Sequence, residues 1–244
     1  MRLSTFLAAK HGYSRRFIKK LIFDGKVTAG GIAIKADIEA DEAAQYELII
    51  GKPSLSYNIE EYLITATDTV IFLQKPPLMH TERHTPEDPL CLDDLIPADF
   101  RLLSRLDYGV GGVIAALHND IEINAQSKTY LAWVEGEFNR EGGSLWQIDA
   151  HHRRRVKAIE SYDGSKMVFR LIAVTNGRSL IEVQLESAAR HQVRAVCAAM
   201  GFPIVGDYIY GSATAIGVVQ LHCSEVYVNN IGAKSLYTED FGYY

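Results

Sequence analysis

Cysteine is scarce in this chain of 244 residues: Cys91, Cys197 and Cys223 are odd in number and form neither a CxxC pair nor any other metal-ligand spacing. A disulfide framework and a cysteine-based metal site are thereby excluded, and a reducing cytosol fits best. No stretch approaches the roughly 18 to 20 uninterrupted apolar residues of a membrane-spanning helix. The first nine residues are too short and too polar for a secretion signal. Internal repeats, low-complexity tracts, Cys/His clusters and a nucleotide-binding fingerprint are also missing. The expectation is a soluble, cytoplasmic protein with no membrane contact, no metal and no cofactor. What is present is a composition of 48% apolar and 23% charged residues, which excludes a disordered chain and a fibre. The length accommodates a small domain plus a medium one, each with a core.

The formal net charge of −5 would ordinarily argue against a nucleic-acid partner. Its distribution argues otherwise. Residues 1–35 hold eight basic side chains against Asp24 alone, a net of +7, which leaves 17 basic and 29 acidic residues, −12, in the remainder. Such a split points to an anionic partner for the first segment. Within it, Ser4 can cap a short helix carrying Phe6, Leu7 and Lys10, and Ser14 a second over 15–24 that stops at Gly25. In the second helix Phe17/Ile18 and Leu21/Ile22 recur at helical spacing, with Arg15, Arg16, Lys19 and Lys20 opposite. That ridge is either an RNA-binding face or a solvated helix face. Short strands at 26–28, 32–34 and 46–50 follow.

Residues 52–62 read as a linker, rich in turn formers. Beyond them, strands are expected at 69–73, 130–134, 168–174 and 179–185. The last two are joined by Asn176-Gly177, a hairpin signal. Residues 109–117 form an apolar helix or strand, and 190–200 a helix ended by Gly201. More strands than helices, without strict alternation, indicate an α+β fold: a small N-terminal α/β domain, then a mixed, mainly antiparallel sheet flanked by helices.

Two segments can carry chemistry. Ser104-Arg105-Leu106-Asp107 sets an acid among apolar neighbours at the mouth of the turn Gly109-Val110-Gly111-Gly112, where a cation is needed to keep it ionised. Alone, the triplet reads first as a turn-capping or salt-bridged Asp. Arg190-His191-Gln192-Val193-Arg194 supplies the candidate cation, with Arg190 and Arg194 four apart on one helical face. That face is otherwise a solvated basic one.

Taken in order, these segments resemble the RluA-type pseudouridine synthases. The match runs through the strand and Lys-Pro turn at 70–76, then Arg105-Leu106-Asp107, Lys128-Thr129-Tyr130, His191-Gln192-Val193-Arg194, Pro203 to Gly211, and Leu221-His222. The first fifty residues resemble the S-four-like RNA-binding domain through Leu3 to Leu7, Ser14-Arg15-Arg16 and Gly25-Lys26-Val27. Departures from the family pattern are Ser104 for His, Val110 for Thr, and Ala188-Ala189 before the His191 motif. The resemblance implies an isomerase acting on ribosomal RNA or tRNA, with Asp107, Tyr130 and Arg194 as catalytic residues. Arg194 would hold the Asp107 carboxylate ionised, and Tyr130 would stack on the base or move a proton. Arg105, Leu221, His191 and Gln192 would bind substrate, Arg105 by filling the space a flipped base vacates. Arg15, Arg16, Lys19 and Lys20 would bind RNA. The expected organisation is an S-four-like domain over 1–51, a linker over 52–62 and a catalytic domain over 63–244, in a monomer. Residues 151–155, His-His-Arg-Arg-Arg, form a second basic cluster, either a solvated hairpin or an RNA-contacting loop. The rival readings are a non-catalytic RNA-binding protein that keeps the fold, and an enzyme whose 109–112 glycines cradle a nucleotide phosphate.

Overall fold

The computed structural model describes residues 1–11, 13, 15–49, 58–85, 88–150, 155–214 and 218–237. They form two compact units, Met1–Ser56 with Arg83–Leu90, and Tyr57–Glu82 with Cys91–Tyr244.

The first unit contains α1 (Leu3–His11), α2 (Arg15–Phe23), β1 (Val27–Ala29), β2 (Ile32–Ile34) and β3 (Tyr46–Leu48). The apolar stripe of α2 buries Phe17, Ile18, Leu21 and Ile22 against Leu3, Leu7 and Val27, as the helical spacing requires. Gly25 ends the helix at φ +71, and the Lys26 N–H returns to the Leu21 carbonyl at 2.8 Å. β1 pairs antiparallel with both β2 and β3. Ser4 is not the cap of α1; it lies inside the helix, fully buried. The acceptor at that end is Asp37, which takes the Ser4 N–H at 2.9 Å and its hydroxyl at 2.8 Å. A carboxylate from 33 residues away supplies what a local hydroxyl was expected to supply. Ser14, the expected cap of α2, lies outside the described residues, as do residues 51–57 of the linker region.

The second unit contains β4 (Leu63–Ala66), β5 (Val70–Lys75), β6 (Phe100–Leu102), β7 (Gly111–His118), β8 (Gln126–Glu135), β9 (Gly142–Asp149), β10 (Lys157–Glu160), β11 (Ser165–Thr175), β12 (Arg178–Leu185), α3 (Gln192–Ala199), β13 (Leu221–Val228) and β14 (Ile231–Lys234). Among the described residues the sheet runs β10-β9-β11-β12-β8-β13-β7-β5-β4, with β6 on β7 and β14 on β13. The architecture is the mixed, mainly antiparallel α+β one: β7 and β13 are parallel, and the pairs that flank them are antiparallel. The 109–117 stretch resolves into strand. Flanked by β5 and β13 and buried along almost its whole length, β7 needs a continuous apolar run rather than an alternating one. β8 alternates instead, burying Lys128, Tyr130, Ala132 and Val134, so that Tyr130 faces inward. Asn176 and Gly177, at φ +51 and +71, make the two-residue turn between β11 and β12. α3 begins only at Gln192, because His191 sits in the left-handed region at φ +56. Arg190 is therefore exposed and outside the helix, and it does not share a helical face with Arg194.

Candidate active site

Asp107 lies in the loop between β6 and β7, and its backbone is held on both sides. The Thr81 hydroxyl donates to the Leu106 carbonyl at 2.7 Å and accepts the Leu106 N–H at 3.1 Å. The Val110 N–H donates to the Asp107 carbonyl at 2.9 Å, and the Leu78 N–H to that of Tyr108 at 2.7 Å. Next, Gly111 and Gly112 open β7. Gly112 has φ +126, and a Cβ there would run into the Cys223 backbone. These glycines serve the close approach of β7 to β13 and lead into a strand, not a helix N-terminus. The phosphate-cradle reading loses the dipole and N–H groups on which it depends.

Three residues inside α3, Arg194 reaches back to this loop. Its Nη1 donates to Asp107 Oδ2 at 2.6 Å, while Nε and Nη2 form a two-point contact with Asp207 at 2.6 and 2.8 Å. The Arg194 and Asp207 side chains are buried, at 6% and 1% exposure, whereas Asp107 keeps 27%. Burial alone would loosen the Arg194 proton. Hydrogen bonds and charge from Asp207 and Asp107 outweigh it and raise the pKa above the usual arginine value, so the guanidinium is permanently charged. His191 brings Nε2 to 3.5 Å from the other Asp107 oxygen. Its pKa falls below the ordinary value, chiefly through burial; Asp107 opposes the fall and Arg194 and Arg190 reinforce it. The result is one partly exposed carboxylate faced by a fixed cation and a neutral imidazole.

Tyr130 stands on the inner face of β8, 4% exposed. Burial first, then Cys223 and the charge of Asp107, push its hydroxyl well above the usual tyrosine range. It offers a ring and an O–H donor rather than a resident base. Leu221 is buried at the start of β13, opposite Ala132 on β8. The Gln192 side-chain carbonyl accepts the Ala189 N–H at 2.8 Å. Its buried Nε2 has no hydrogen-bond partner among the described residues, an arrangement that costs about 1–3 kcal/mol until something fills it. Arg105 stands apart from this cluster, exposed and paired with Glu82 at 3.1 Å. In the other unit, Arg15, Arg16 and Lys20 are exposed. Lys19 is turned to Asp37 at 3.6 Å and Arg15 to the Ser4 hydroxyl at 3.4 Å. Residues 151–154 of the second basic cluster lie outside the described residues.

Sequence reasoning left Asp207, Tyr210, Thr81 and Lys75 without roles. Asp207 and Tyr210 lie in the Gly206-Asp207 and Tyr210-Gly211 pairs of the resemblance, and that was the available signal. Lys75 ends β5, fully buried, and donates to the Pro76 and Met79 carbonyls at 3.0 and 2.8 Å. Burial lowers its pKa to about 7 against the pull of Asp107.

No family model matches the chain. It is 26% identical over 195 residues to ribosomal large subunit pseudouridine synthase C of Rickettsia prowazekii, covering 70% of this chain and 64% of that protein. It is 25% identical over 244 residues to an uncharacterised RNA pseudouridine synthase of Bacillus subtilis, covering 88% and 80%. A stretch of 123 residues is 32% identical to ribosomal large subunit pseudouridine synthase D of Xanthomonas campestris, covering 46% and 37%. The chain is similar to RNA pseudouridine synthases. Against the first of these relatives, the chain spans only 64, 47 and 37% of their lengths. The synthase fold is shared with two human RNA pseudouridylate synthase domain-containing proteins, 1 and 4. Their TM-scores are 0.53 and 0.52 at 16 and 15% identity, covering 71 and 69% of this chain and 81 and 84% of theirs.

Proposed function

We propose that this chain isomerises uridine to pseudouridine in structured ribosomal RNA or tRNA in the cytosol, with Asp107 as the reacting carboxylate. The observation that carries the reading is the placement of Asp107: partly exposed, bound through one oxygen to a buried, permanently charged Arg194, beside buried Tyr130. The reaction breaks the bond from uracil N1 to the sugar, turns the base and joins its C5 to the same carbon. C5 gives up one proton and N1 gains one, so electrons and atoms balance with no external reagent. Asp107 serves either as nucleophile, on the sugar or the base, or as base toward a sugar proton. Arg194 fixes its rotamer, and the Tyr130 ring provides a stacking face for the uracil while it is detached. Leu221 supplies an apolar wall, and the unpaired Gln192 Nε2 a donor for a uracil carbonyl.

A uridine in folded RNA must leave its stack first, at a cost of a few kcal/mol. Arg105 is suited to fill the gap, since its exposed ion pair with Glu82 is worth at most about 1 kcal/mol. Residues 1–51, read as an S-four-like domain, dock the RNA through Arg15, Arg16, Lys19 and Lys20, by shape and phosphate contact rather than groove reading. Ser104, Val110 and Ala188-Ala189 favour a second reading, an RNA-binding protein that has lost catalysis. The discriminating experiment uses RNA carrying tritium at uracil C5. Release by the wild type that disappears in Asp107→Asn, with RNA binding retained, supports the isomerase. A wild type that binds these RNAs and releases no tritium overturns it in favour of the second reading.

A further inference from the structure

Tyr210 touches the site through an atom that none of the sequence motifs explains. Its hydroxyl lies 3.1 Å from His191 Nδ1 and accepts the backbone N–H of Val156 at 2.9 Å. The ring is 3% exposed and packs with Val156 and Ala195, with Ile148, Ala158, Ala198 and Ile209 around them. The Arg155 and Arg194 guanidinium carbons each lie 5.2 Å from its centroid. Burial raises the Tyr210 pKa, so the hydroxyl keeps its proton.

That proton has a forced destination. Val156 is itself a donor and cannot accept it, so the Tyr210 O–H points to His191 Nδ1, which must then be the bare nitrogen. The other end of the ring selects the same tautomer. A bare Nε2 would set its lone pair 3.5 Å from the Asp107 carboxylate, whereas Nε2–H presents a donor. We propose that Tyr210 is a positioning residue: anchored by Val156, it locks neutral His191 in the tautomer whose Nε2–H faces Asp107. The carboxylate is thus held from two sides, by Arg194 on one oxygen and by His191 on the other. The charged groups acting on the imidazole are Asp107, Arg194, Arg190 and Asp207. The inference rests on the isomerase reading for its kinetic consequence alone, because the tautomer belongs to the folded protein.

The test pairs nitrogen-15 NMR of histidine-labelled full chain near pH 7.5 with tritium-release kinetics. His191→Gln identifies the His191 signals. The wild type is expected to show protonated Nε2 and bare Nδ1. Tyr210→Phe keeps the ring and removes the donor, so the two tautomers should mix. Turnover should fall roughly fivefold to tenfold with KM for RNA unchanged. The acid limb of the pH profile should move to higher pH, because the missing O–H stabilised the neutral ring; a purely structural defect would lower turnover without moving that limb. A wild-type His191 protonated at Nδ1 overturns the proposal whatever the variant does. So does a Tyr210→Phe protein with unchanged tautomer and pH profile. Absence of tritium release from the wild type sinks the isomerase reading and leaves the tautomer assignment standing.

Discussion

Replacing Arg194 by Met keeps most of the side-chain volume and deletes the charge. Asp207, at 1% exposure, then loses the two donors that meet its carboxylate at 2.6 and 2.8 Å. Its neighbours Tyr210 and Ser212 do not replace them, because their N–H groups donate to the Asp207 backbone carbonyl. An uncompensated buried carboxylate costs about 3–5 kcal/mol, and Asp107, being partly solvated, adds roughly 1 kcal/mol or less. For a unit of this size 1 kcal/mol moves the melting temperature by about 2–4 °C, so Arg194→Met should lower it by roughly 10 °C. Adding Asp207→Leu removes the stranded charge and exchanges a buried ion pair for apolar contact, a swap that is often close to neutral. The double variant should recover most of the stability without regaining activity. Calorimetry of wild type, both single variants and the double variant at pH 7.5 and low salt reads this directly. A single Arg194→Met variant that melts within about 2 °C of wild type, or a double variant no more stable than it, would refute the reasoning.

His222 is buried with its pKa pushed down to about 4, while the unfolded chain takes up the proton near pH 6.5. Wild-type stability should therefore fall as pH drops from about 6.5 to about 4, by at most about 3 kcal/mol from this group, and urea midpoints of His222→Gln should be flatter over that window. Gly112→Ala forces a Cβ into the Cys223 backbone at a positive φ, so a destabilisation of about 3 kcal/mol or more is expected; a denaturation midpoint near that of wild type would contradict the strand spacing. Changing Arg15, Arg16, Lys19 and Lys20 together to Gln should weaken RNA binding and flatten its salt dependence, by about one unit of slope for each phosphate these side chains neutralise. An unchanged slope in a filter-binding titration would remove α2 from the RNA surface.

How far the molecule is readable from its residues depends on whether the causes are local. The stripe of α2 and the turn at Asn176-Gly177 are local patterns, and each marks its element. β13 is the opposite case. His222 and Ser224 interrupt its apolar run, yet both are buried, and each is satisfied from elsewhere. His222 Nε2 meets the Ser235 hydroxyl at 2.7 Å, that hydroxyl donates to Gln74, and Ser224 donates to the Thr129 carbonyl. A polar residue with a distant partner looks like a surface residue in sequence. The site divides along the same line. Asp107 and Arg194 stand out through ordered motifs 87 residues apart. Exclusion of Arg190 from α3 follows from a single left-handed residue, and the roles of Asp207, Tyr210 and Thr81 exist only once their partners are folded against them.

The place of β13 between β8 and β7 also constrains the order of assembly. One half of the sheet, β10-β9-β11-β12-β8, and the other, β7-β5-β4, are joined through that strand. The Asp107 loop leads into the second half, and Tyr130 stands in the first. As the chain is synthesised, more than a hundred residues follow the Asp107 loop before the strand that unites the halves exists. Its pairing with β7 joins Gly111 to His222, a separation that makes closure slow relative to the hairpins on either side. A nascent chain therefore carries the hairpins of both halves well before the Asp107 loop and Tyr130 belong to one sheet, and its unpaired central edges are exposed for that whole interval.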